Sequence, residues 1–335
     1  MGRVPEPGIT AEILPWIATS LPMPTKNLLE SIGRTPLVQL RRITQGLPVP
    51  VLVKCEHMNP GGSVKDRIAL AIVDDAERRG VLRPGDTLVE ATAGNTGMGL
   101  ALVAAVRGYK LVCVMPEKMS IDKRTALAAV GARVVITPNA PPESPDHFQN
   151  VARRMAEEER WFLTDQFRNP ANVRAHEETT GPEIFEQCAG SIGAFVAGAG
   201  TGGTITGVAR FLEKHAPKAK IVLADPIGSG LARWVVDGVV GPDAAYLVEG
   251  IGTSKPPEIL DRTVIDGAES VPDDESFAMV KRLVREEGLL VGGSAGTNVV
   301  AALRVAARGD LDGPVVTVLP DAWDRYRAQP WMQGW

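Results

Sequence analysis

Short, continuously apolar segments alternate along this chain with segments of helical periodicity, and this alternation limits the possible folds. The strand-like segments comprise residues 51–55, 87–91, 110–115, 133–136, 194–197, 221–224 and 315–319. Strands that are apolar on both faces and separated by amphipathic helices build parallel sheets with helices on either side. Because 335 residues exceed what one core usually holds, we predict an α/β fold of two three-layer αβα domains with mostly parallel sheets.

In such a fold, ligands bind beyond the carboxyl ends of the strands, so the turns that follow strands are informative. The turn at residues 59–64 contains two glycines and a proline, and Ser63 is placed to cap the helix that Lys65 opens. The helix dipole and burial both disfavour a cation at that position. A neutral lysine amine is a nucleophile that can form a Schiff base, and the alternative is an ordinary surface lysine.

A glycine-rich turn at residues 199–204 follows a strand and opens a helix. Its glycines allow the backbone to approach a phosphate closely at the helix N-terminus. A plain tight turn fits the same residues. The glycine spacing differs from the dinucleotide-binding fingerprint, but Asp225 lies about twenty residues further on, so a nucleotide-binding dehydrogenase stays open as an alternative.

Two other turns carry hydroxyl groups. Residues 90–97 include Thr92 and Thr96, which with backbone N–H groups can hold a carboxylate; the alternative is a polar strand-to-helix turn. In residues 291–297, Ser294 is either a helix cap or a hydroxyl that meets a heteroaromatic nitrogen. A reactive lysine, a phosphate cradle and such a serine together suggest one cofactor, pyridoxal phosphate.

Charge and composition argue against several classes of partner. The net charge is −4 without a basic stripe, so neither nucleic acid nor an anionic membrane is expected. No apolar run reaches the roughly 20 residues of a membrane span. The first seven residues lack the apolar core of a secretory signal, and we expect a cytoplasmic protein. The three cysteines are far apart and the four histidines lack metal-ligand spacing, so we expect reduced thiols and no metal.

Seven segments in order carry a more specific signal: residues 54–70, 90–103, 115–120, 200–210, 248–252, 260–266 and 287–296. They resemble the cystathionine β-synthase and cysteine synthase family of fold type II pyridoxal-phosphate enzymes. The resemblance implies a fold like that of the tryptophan synthase β-chain and a homodimer. It also implies a smaller movable domain, residues 45–165, that carries Lys65 and the Asn95 loop. Residues 1–44 plus 166–335 would form the larger domain with the phosphate loop and Ser294.

The resemblance further implies roles for single residues. Lys65 would form the Schiff base and act as catalytic base, Asn95 would bind the ring hydroxyl of the cofactor, and Ser294 would bind its pyridine nitrogen. The phosphate would be bound by Gly200, Thr201, Gly202, Gly203 and Thr204. The amino-acid substrate would be bound by Thr92, Ala93, Gly94, Thr96, Gln166 and Gly250.

The implied reaction is β-replacement on serine or an activated serine, O-acetyl- or O-phosphoserine, through an aminoacrylate. Homocysteine as the second substrate would give cystathionine. The alternatives are a cysteine synthase that uses O-acetylserine and sulfide, and a synthase with an amine nucleophile that forms a 2,3-diaminopropionate-type product. Residues 169–172 and 179–184 are more similar to cysteine synthases, whereas residues 115–120 and 260–266 are more similar to cystathionine synthases. A binding protein without catalytic activity is the last alternative.

Three positions on the substrate side depart from the family pattern. Ala93 stands where cysteine synthases and animal cystathionine synthases usually carry serine, and Phe167 and Thr253 stand where the animal enzymes carry tyrosines. No Cys or His precedes Cys55, so we expect no N-terminal haem. The chain ends at Trp335, so we expect no C-terminal regulatory pair of the animal type.

Overall fold

The computed structural model of this chain describes residues 25–92 and 94–333. The strands in these residues are β1 Leu37–Gln39, β2 Val51–Lys54, β3 Thr87–Ala91, β4 Lys110–Pro116, β5 Arg133–Thr137, β6 Phe162–Leu163, β7 Ala194–Gly198, β8 Lys220–Pro226, β9 Gly267–Val271 and β10 Val315–Val318. All seven strands predicted from apolar runs are present. The strands β1, β6 and β9 are additional.

The α-helices of the described residues are α1 Lys65–Arg78, α2 Asn95–Arg107, α3 Ile121–Ala129, α4 Phe148–Glu159, α5 Pro170–Ala175, α6 Gly181–Gln187, α7 Gly203–His215, α8 Leu231–Asp237, α9 Asp273–Arg282 and α10 Gly293–Ala307. A π-helical turn, His176–Thr180, joins α5 to α6. The predicted cap of α1 is shifted by one residue, because Val64 occupies the N-cap position. The Ser63 hydroxyl still accepts a hydrogen bond from the Lys65 N–H, at 3.2 Å.

Six strands form the larger sheet, in the order β1-β2-β10-β7-β8-β9. Only the β1–β2 pair of this sheet is antiparallel. The four remaining strands form a parallel sheet in the order β5-β4-β3-β6. Since β2 pairs in the larger sheet, the border between the sheets lies after β2, within the range 45–165 that was predicted to be the smaller domain. Whether that range moves as a unit stays a prediction.

Helices cover both faces of each sheet. Neighbouring strand residues point to opposite faces, and in β7 Val196 packs with Val299 of α10 while Phe195 packs with Ile205 of α7. In β3, Leu88 belongs to the cluster that contains α1 and α2, whereas Val89 packs against α4. The predicted α/β architecture with mostly parallel sheets is therefore confirmed.

Within residues 25–92 and 94–333, no helix combines the length and apolar character that crossing a membrane requires. The same residues contain no group of three or more His, Cys, Asp or Glu side chains that could hold a metal ion.

Candidate active site

A cavity of about 400 Å³, including its part open to solvent, lies beyond the carboxyl ends of β7 and β10. It is lined by Lys65, Gly200, Thr201, Gly202, Thr204 and Gly250, among others. Parallel sheets commonly bind ligands at this edge. The structure thus brings the predicted reactive lysine and most of the predicted phosphate loop to one place, although they are separated by more than a hundred residues in sequence.

Lys65 reaches this cavity because its turn is fixed to the segment after β10. The Val64 N–H donates to the Pro320 carbonyl oxygen at 2.8 Å, and Ser63 forms a β-bridge with Asp321. Burial lowers the pKa of the Lys65 amine, and the nearby Asp321 carboxyl partly opposes this effect by raising it. A lowered pKa increases the fraction of neutral amine, which is the nucleophilic form.

Close packing and backbone conformation explain why the loop contains glycine. A Cβ atom on Gly200 would lie 2.3 Å from the Gly250 carbonyl oxygen, and Gly202 has φ = +87°. These two positions therefore require glycine. Helix α7 begins at Gly203 and directs its first N–H groups toward the loop. The Thr201 and Thr204 side chains add two hydroxyl groups to the same wall.

Asn95 is not among the residues that line the cavity, but it is held by a carboxylate that the sequence analysis did not single out. Its Nδ2 donates to Asp321 Oδ2 at 2.7 Å, and the Arg325 guanidinium donates to its Oδ1. Burial raises the pKa of Asp321, whose Oδ2 also accepts from the Tyr326 hydroxyl at 2.6 Å. The sequence signal that could have identified Asp321 is its position just beyond the buried strand β10.

Gln166 forms hydrogen bonds with Thr96 and Glu90 of the predicted substrate-binding turn. Thr96 Oγ1 donates to Gln166 Oε1 at 2.6 Å, and Thr92 Oγ1 accepts from the Gly94 N–H at 3.3 Å. The Gln166 N–H donates to the buried Glu90 carboxylate at 3.1 Å, and burial raises the pKa of Glu90 to about 7. Ala93, which was predicted to belong to this turn, lies outside the described residues.

Ser294 lies in the first turn of α10 and is buried. Asn298, four residues further on and thus on the same helix face, lines the cavity. The Gly292 N–H, just before the helix, donates to the Asp321 carbonyl oxygen at 3.1 Å. The Ser294 helix, the Lys65 turn and Asn95 are therefore all bonded to the short segment that follows β10.

Asp225, the residue on which the dinucleotide-binding alternative depended, has a different role. Its Oδ2 accepts from the Ala232 N–H at 2.7 Å, in the first turn of α8. It acts as a helix-terminal acceptor and is not part of the cavity wall that contains Lys65.

Comparison with known proteins places this arrangement in a family. Residues 28–321 match the family described as pyridoxal-phosphate dependent enzyme. The chain is 46% identical over 320 residues to cystathionine beta-synthase of Oryctolagus cuniculus, which covers 92% of this chain and 57% of that protein. It is 43% identical over 308 residues to cysteine synthase of Staphylococcus aureus (strain N315), covering 92% of this chain and 97% of that protein.

Solved structures with the same fold were also found. The crystal structure of O-ureido-L-serine synthase has a TM-score of 0.85 and 38% identity, with 92% of this chain and 96% of that chain covered. The O-acetylserine dependent cystathionine beta-synthase from Helicobacter pylori has a TM-score of 0.82 and 36% identity, with 92% and 98% covered. The chain spans only 57% of the mammalian relatives' length.

Proposed function

The chain belongs to the family of pyridoxal-phosphate dependent enzymes, and we propose that it catalyses β-replacement on serine or an activated serine, with a thiol as second substrate. The observation that carries the proposal is the shared cavity of Lys65 and the glycine loop 200–204. Family membership, together with the helix-terminal place of Asp225, rules out the dehydrogenase alternative.

The residues of the cavity fit the family's cofactor. The amine of Lys65 would bind its aldehyde carbon, and the glycine loop with the N-terminus of α7 would bind its phosphate. Asn95 would face the ring hydroxyl, and Ser294 would face the ring nitrogen. When bound, pyridoxal phosphate withdraws electrons from the bonds at the substrate α-carbon, and the protein decides which bond breaks.

Lys65 can serve as the base and acid of the reaction. Burial lowers the pKa of its amine, so the amine can accept the proton from the α-carbon and later return it to the same carbon. Asp321 raises the pKa of that amine and so keeps it basic enough to accept a proton. Ser294 presents a neutral hydroxyl, so this side chain places no negative charge at the predicted position of the ring nitrogen.

The turn before α2 can bind the substrate carboxylate. Its N–H groups lie at the N-terminus of a 13-residue helix, where a negative charge is favoured. The hydrogen bond between Thr96 and Gln166 fixes both side chains before substrate arrives. A fixed geometry reduces the entropy that binding must remove.

Replacement of the lysine tests the proposal directly. Purified wild type should be yellow, borohydride should attach the cofactor to Lys65, and Lys65→Ala should lose both this attachment and nearly all turnover. Lys110→Ala is a matched control, because Lys110 is exposed at the start of β4. Turnover of Lys65→Ala close to that of wild type would overturn the assignment.

The second substrate is proposed to be homocysteine, which would give cystathionine. Serine, O-acetylserine and O-phosphoserine should each be offered with homocysteine, sulfide and ammonia, and the products identified by mass. Cystathionine as the most efficiently formed product is expected. Cysteine from O-acetylserine and sulfide, or an amine adduct, would replace the proposal by the corresponding synthase.

Cysteine synthesis is the second candidate because the chain is 43% identical over 308 residues to the Staphylococcus aureus cysteine synthase. One of the similar solved structures is an O-ureido-L-serine synthase. Another is an O-acetylserine dependent cystathionine beta-synthase. O-ureido-L-serine is therefore a further product to look for, and an activated serine is the donor we favour.

A further inference from the structure

The two hydroxyl groups of the glycine loop are each bonded to a buried side chain from one neighbouring segment. Asn172 Nδ2, in α5, lies 3.1 Å from Thr201 Oγ1. His176 Nε2, in the π-helical turn, lies 3.2 Å from Thr204 Oγ1. Both Asn172 and His176 are only 1% exposed. Neither is among the residues that line the cavity, so they act on it through the threonines.

The polarity of the Asn172–Thr201 bond is fixed by a second contact. Asn172 Nδ2 also donates to the Gln166 carbonyl oxygen at 2.8 Å, and a carbonyl oxygen can only accept. The amide nitrogen, and not the amide oxygen, must therefore face both partners. Since an amide nitrogen only donates, Thr201 Oγ1 accepts and its own proton is free for another acceptor.

The polarity of the His176–Thr204 bond follows from Thr180. Thr180 is fully buried, and the one side-chain hydrogen bond of its hydroxyl among the described residues is to His176 Nδ1, at 2.9 Å. A buried hydroxyl proton needs an acceptor, so Nδ1 accepts it. The proton of the neutral ring is then on Nε2, which donates to Thr204.

The neutral state of His176 has a clear physical origin. Burial lowers its pKa to about 3, and the positive charge of Arg67 acts in the same direction. Only one ring nitrogen therefore carries a proton at neutral pH, as the chain of bonds from Thr180 to Thr204 requires.

We propose that Asn172 and His176 are positioning residues that make acceptors of Thr201 and Thr204, so that both hydroxyl protons point to the anion in the glycine loop. The inference rests on the proposed use of this loop for the cofactor phosphate. An anion there would receive two oriented O–H donors in addition to the N–H groups of α7. Neither positioning residue needs to touch the cofactor.

The test compares two ligands that differ only in the phosphate. Apoenzyme is titrated with pyridoxal phosphate and with pyridoxal, and the dissociation constants are measured by absorbance. His176→Leu should weaken the binding of pyridoxal phosphate about tenfold, as expected for one lost oriented hydrogen bond. It should leave the binding of pyridoxal unchanged. His176→Gln, whose amide can still donate to Thr204, should recover most of the loss. Equal weakening of both ligands would overturn the proposal.

A double-mutant cycle with Thr204 separates this inference from the phosphate assignment itself. Thr204→Val should weaken pyridoxal phosphate, and adding His176→Leu to it should have no further effect. Thr204→Val without effect would overturn the phosphate assignment. A loss with Thr204→Val but none with His176→Leu would overturn only the positioning role.

A measurement on the unmodified protein covers the case that a variant fails to fold. The chain has four histidines, so the His176 signals in ¹⁵N-histidine spectra of the wild-type holoenzyme can be assigned by elimination with single variants of the other three. The proton should be found on Nε2 of His176 across neutral pH. A proton on Nδ1 would contradict the proposed direction of the hydrogen bonds.

Discussion

Among single residues, Asp321 contacts several of the groups that surround Lys65. Its side chain bonds to Asn95 and Tyr326, its backbone bonds to Gly292, and its charge raises the pKa of Lys65. A second carboxylate oxygen, Oδ1, is buried without a hydrogen-bond partner among the described residues. An acid held in this way can set the basicity of the lysine amine without reacting itself.

Asp321→Asn should lower the pKa of the Lys65 amine further. Removal of the carboxylate leaves burial, which lowers the pKa, without the opposing charge. The neutral amine then persists to lower pH. In a plot against pH of the rate at which apoenzyme combines with pyridoxal phosphate, the acid limb should therefore shift to lower pH. Stopped-flow absorbance across pH measures this limb.

The matched control for this variant is Asp324→Asn, because Asp324 is exposed three residues away. It should leave the acid limb in place. An unchanged limb in Asp321→Asn would mean that the Asp321 carboxyl is already neutral, and would contradict its proposed effect on Lys65.

Sequence reasoning singled out Lys65, the glycine loop and Ser294 as site residues, but not Asp321, Asn172 or His176. The first group belongs to local patterns in which a turn and the start of a helix are visible in neighbouring residues. The second group acts through contacts that are remote in the chain, such as Asn95 with Asp321 across 226 positions. No local periodicity carries information about such pairs.

At the scale of secondary-structure elements, a buried cluster of charges joins β2, α1 and α6. Arg67 of α1 pairs with Glu56 and with Glu183 of α6, and Lys54 of β2 pairs with Glu183, each at 2.7 Å. Lys54 is fully buried and Arg67 is nearly so. A buried charge that loses its partner is strongly destabilising, so the three elements are fixed relative to one another just beyond Lys65.

Glu183→Gln should destabilise the protein by about 3 kcal/mol at neutral pH, because it leaves the buried Lys54 short of negative charge. Burial alone would raise the pKa of Glu183, but its bonds and charges with Arg67 and Lys54 outweigh burial and hold the pKa at about 2. A depressed pKa stabilises the fold above the ordinary value of 4.5. This contribution is lost as the pH falls toward 2.

The stability difference between wild type and Glu183→Gln should therefore shrink as the pH falls from about 4.5, which urea unfolding at several pH values measures. Glu178→Gln, an exposed position in the π-helical turn, should change stability by at most about 0.5 kcal/mol. A difference independent of pH would show that packing, and not charge, is responsible.

The strands that sequence did not predict share a physical cause. In the larger sheet, β1 and β9 are edge strands, and β6 is an edge strand of two residues in the smaller sheet. Edge strands face solvent on one side and tolerate polar residues and glycine, as in Gly267–Val271. The apolar runs that predicted the other strands are therefore weak or missing at these three edges.

Among the described residues, a charged pair links the smaller sheet to the larger one beside the cavity. Lys123, in α3 beside the smaller sheet, contacts Glu249, in the segment between β8 and β9 of the larger sheet. Gln329 also donates to Glu249, at 2.6 Å. We propose that the Lys123–Glu249 pair holds the two sheets together when substrate is bound.

Glu249→Gln should raise KM for the amino-acid substrate severalfold while the absorbance spectrum of the bound cofactor stays that of wild type. The expected loss is small because the pair is partly exposed to water. Glu177→Gln removes the comparable pair with Lys214 and serves as the control, with no change in KM. A changed cofactor spectrum in Glu249→Gln would show that the residue acts on the cofactor site instead.

The larger sheet has a consequence for how the chain folds as it is made. Strand β10 lies between β2 and β7, and Lys54 of β2 pairs with Val318. Ribosomes add roughly 5–20 residues per second, so β2 waits on the order of ten seconds or more for its neighbour. The strands of the smaller sheet all leave the ribosome in that interval and can pair first. Until β10 is released, the exposed side of β2 is an open edge, and a chaperone that covers it would have its greatest effect on this protein during synthesis.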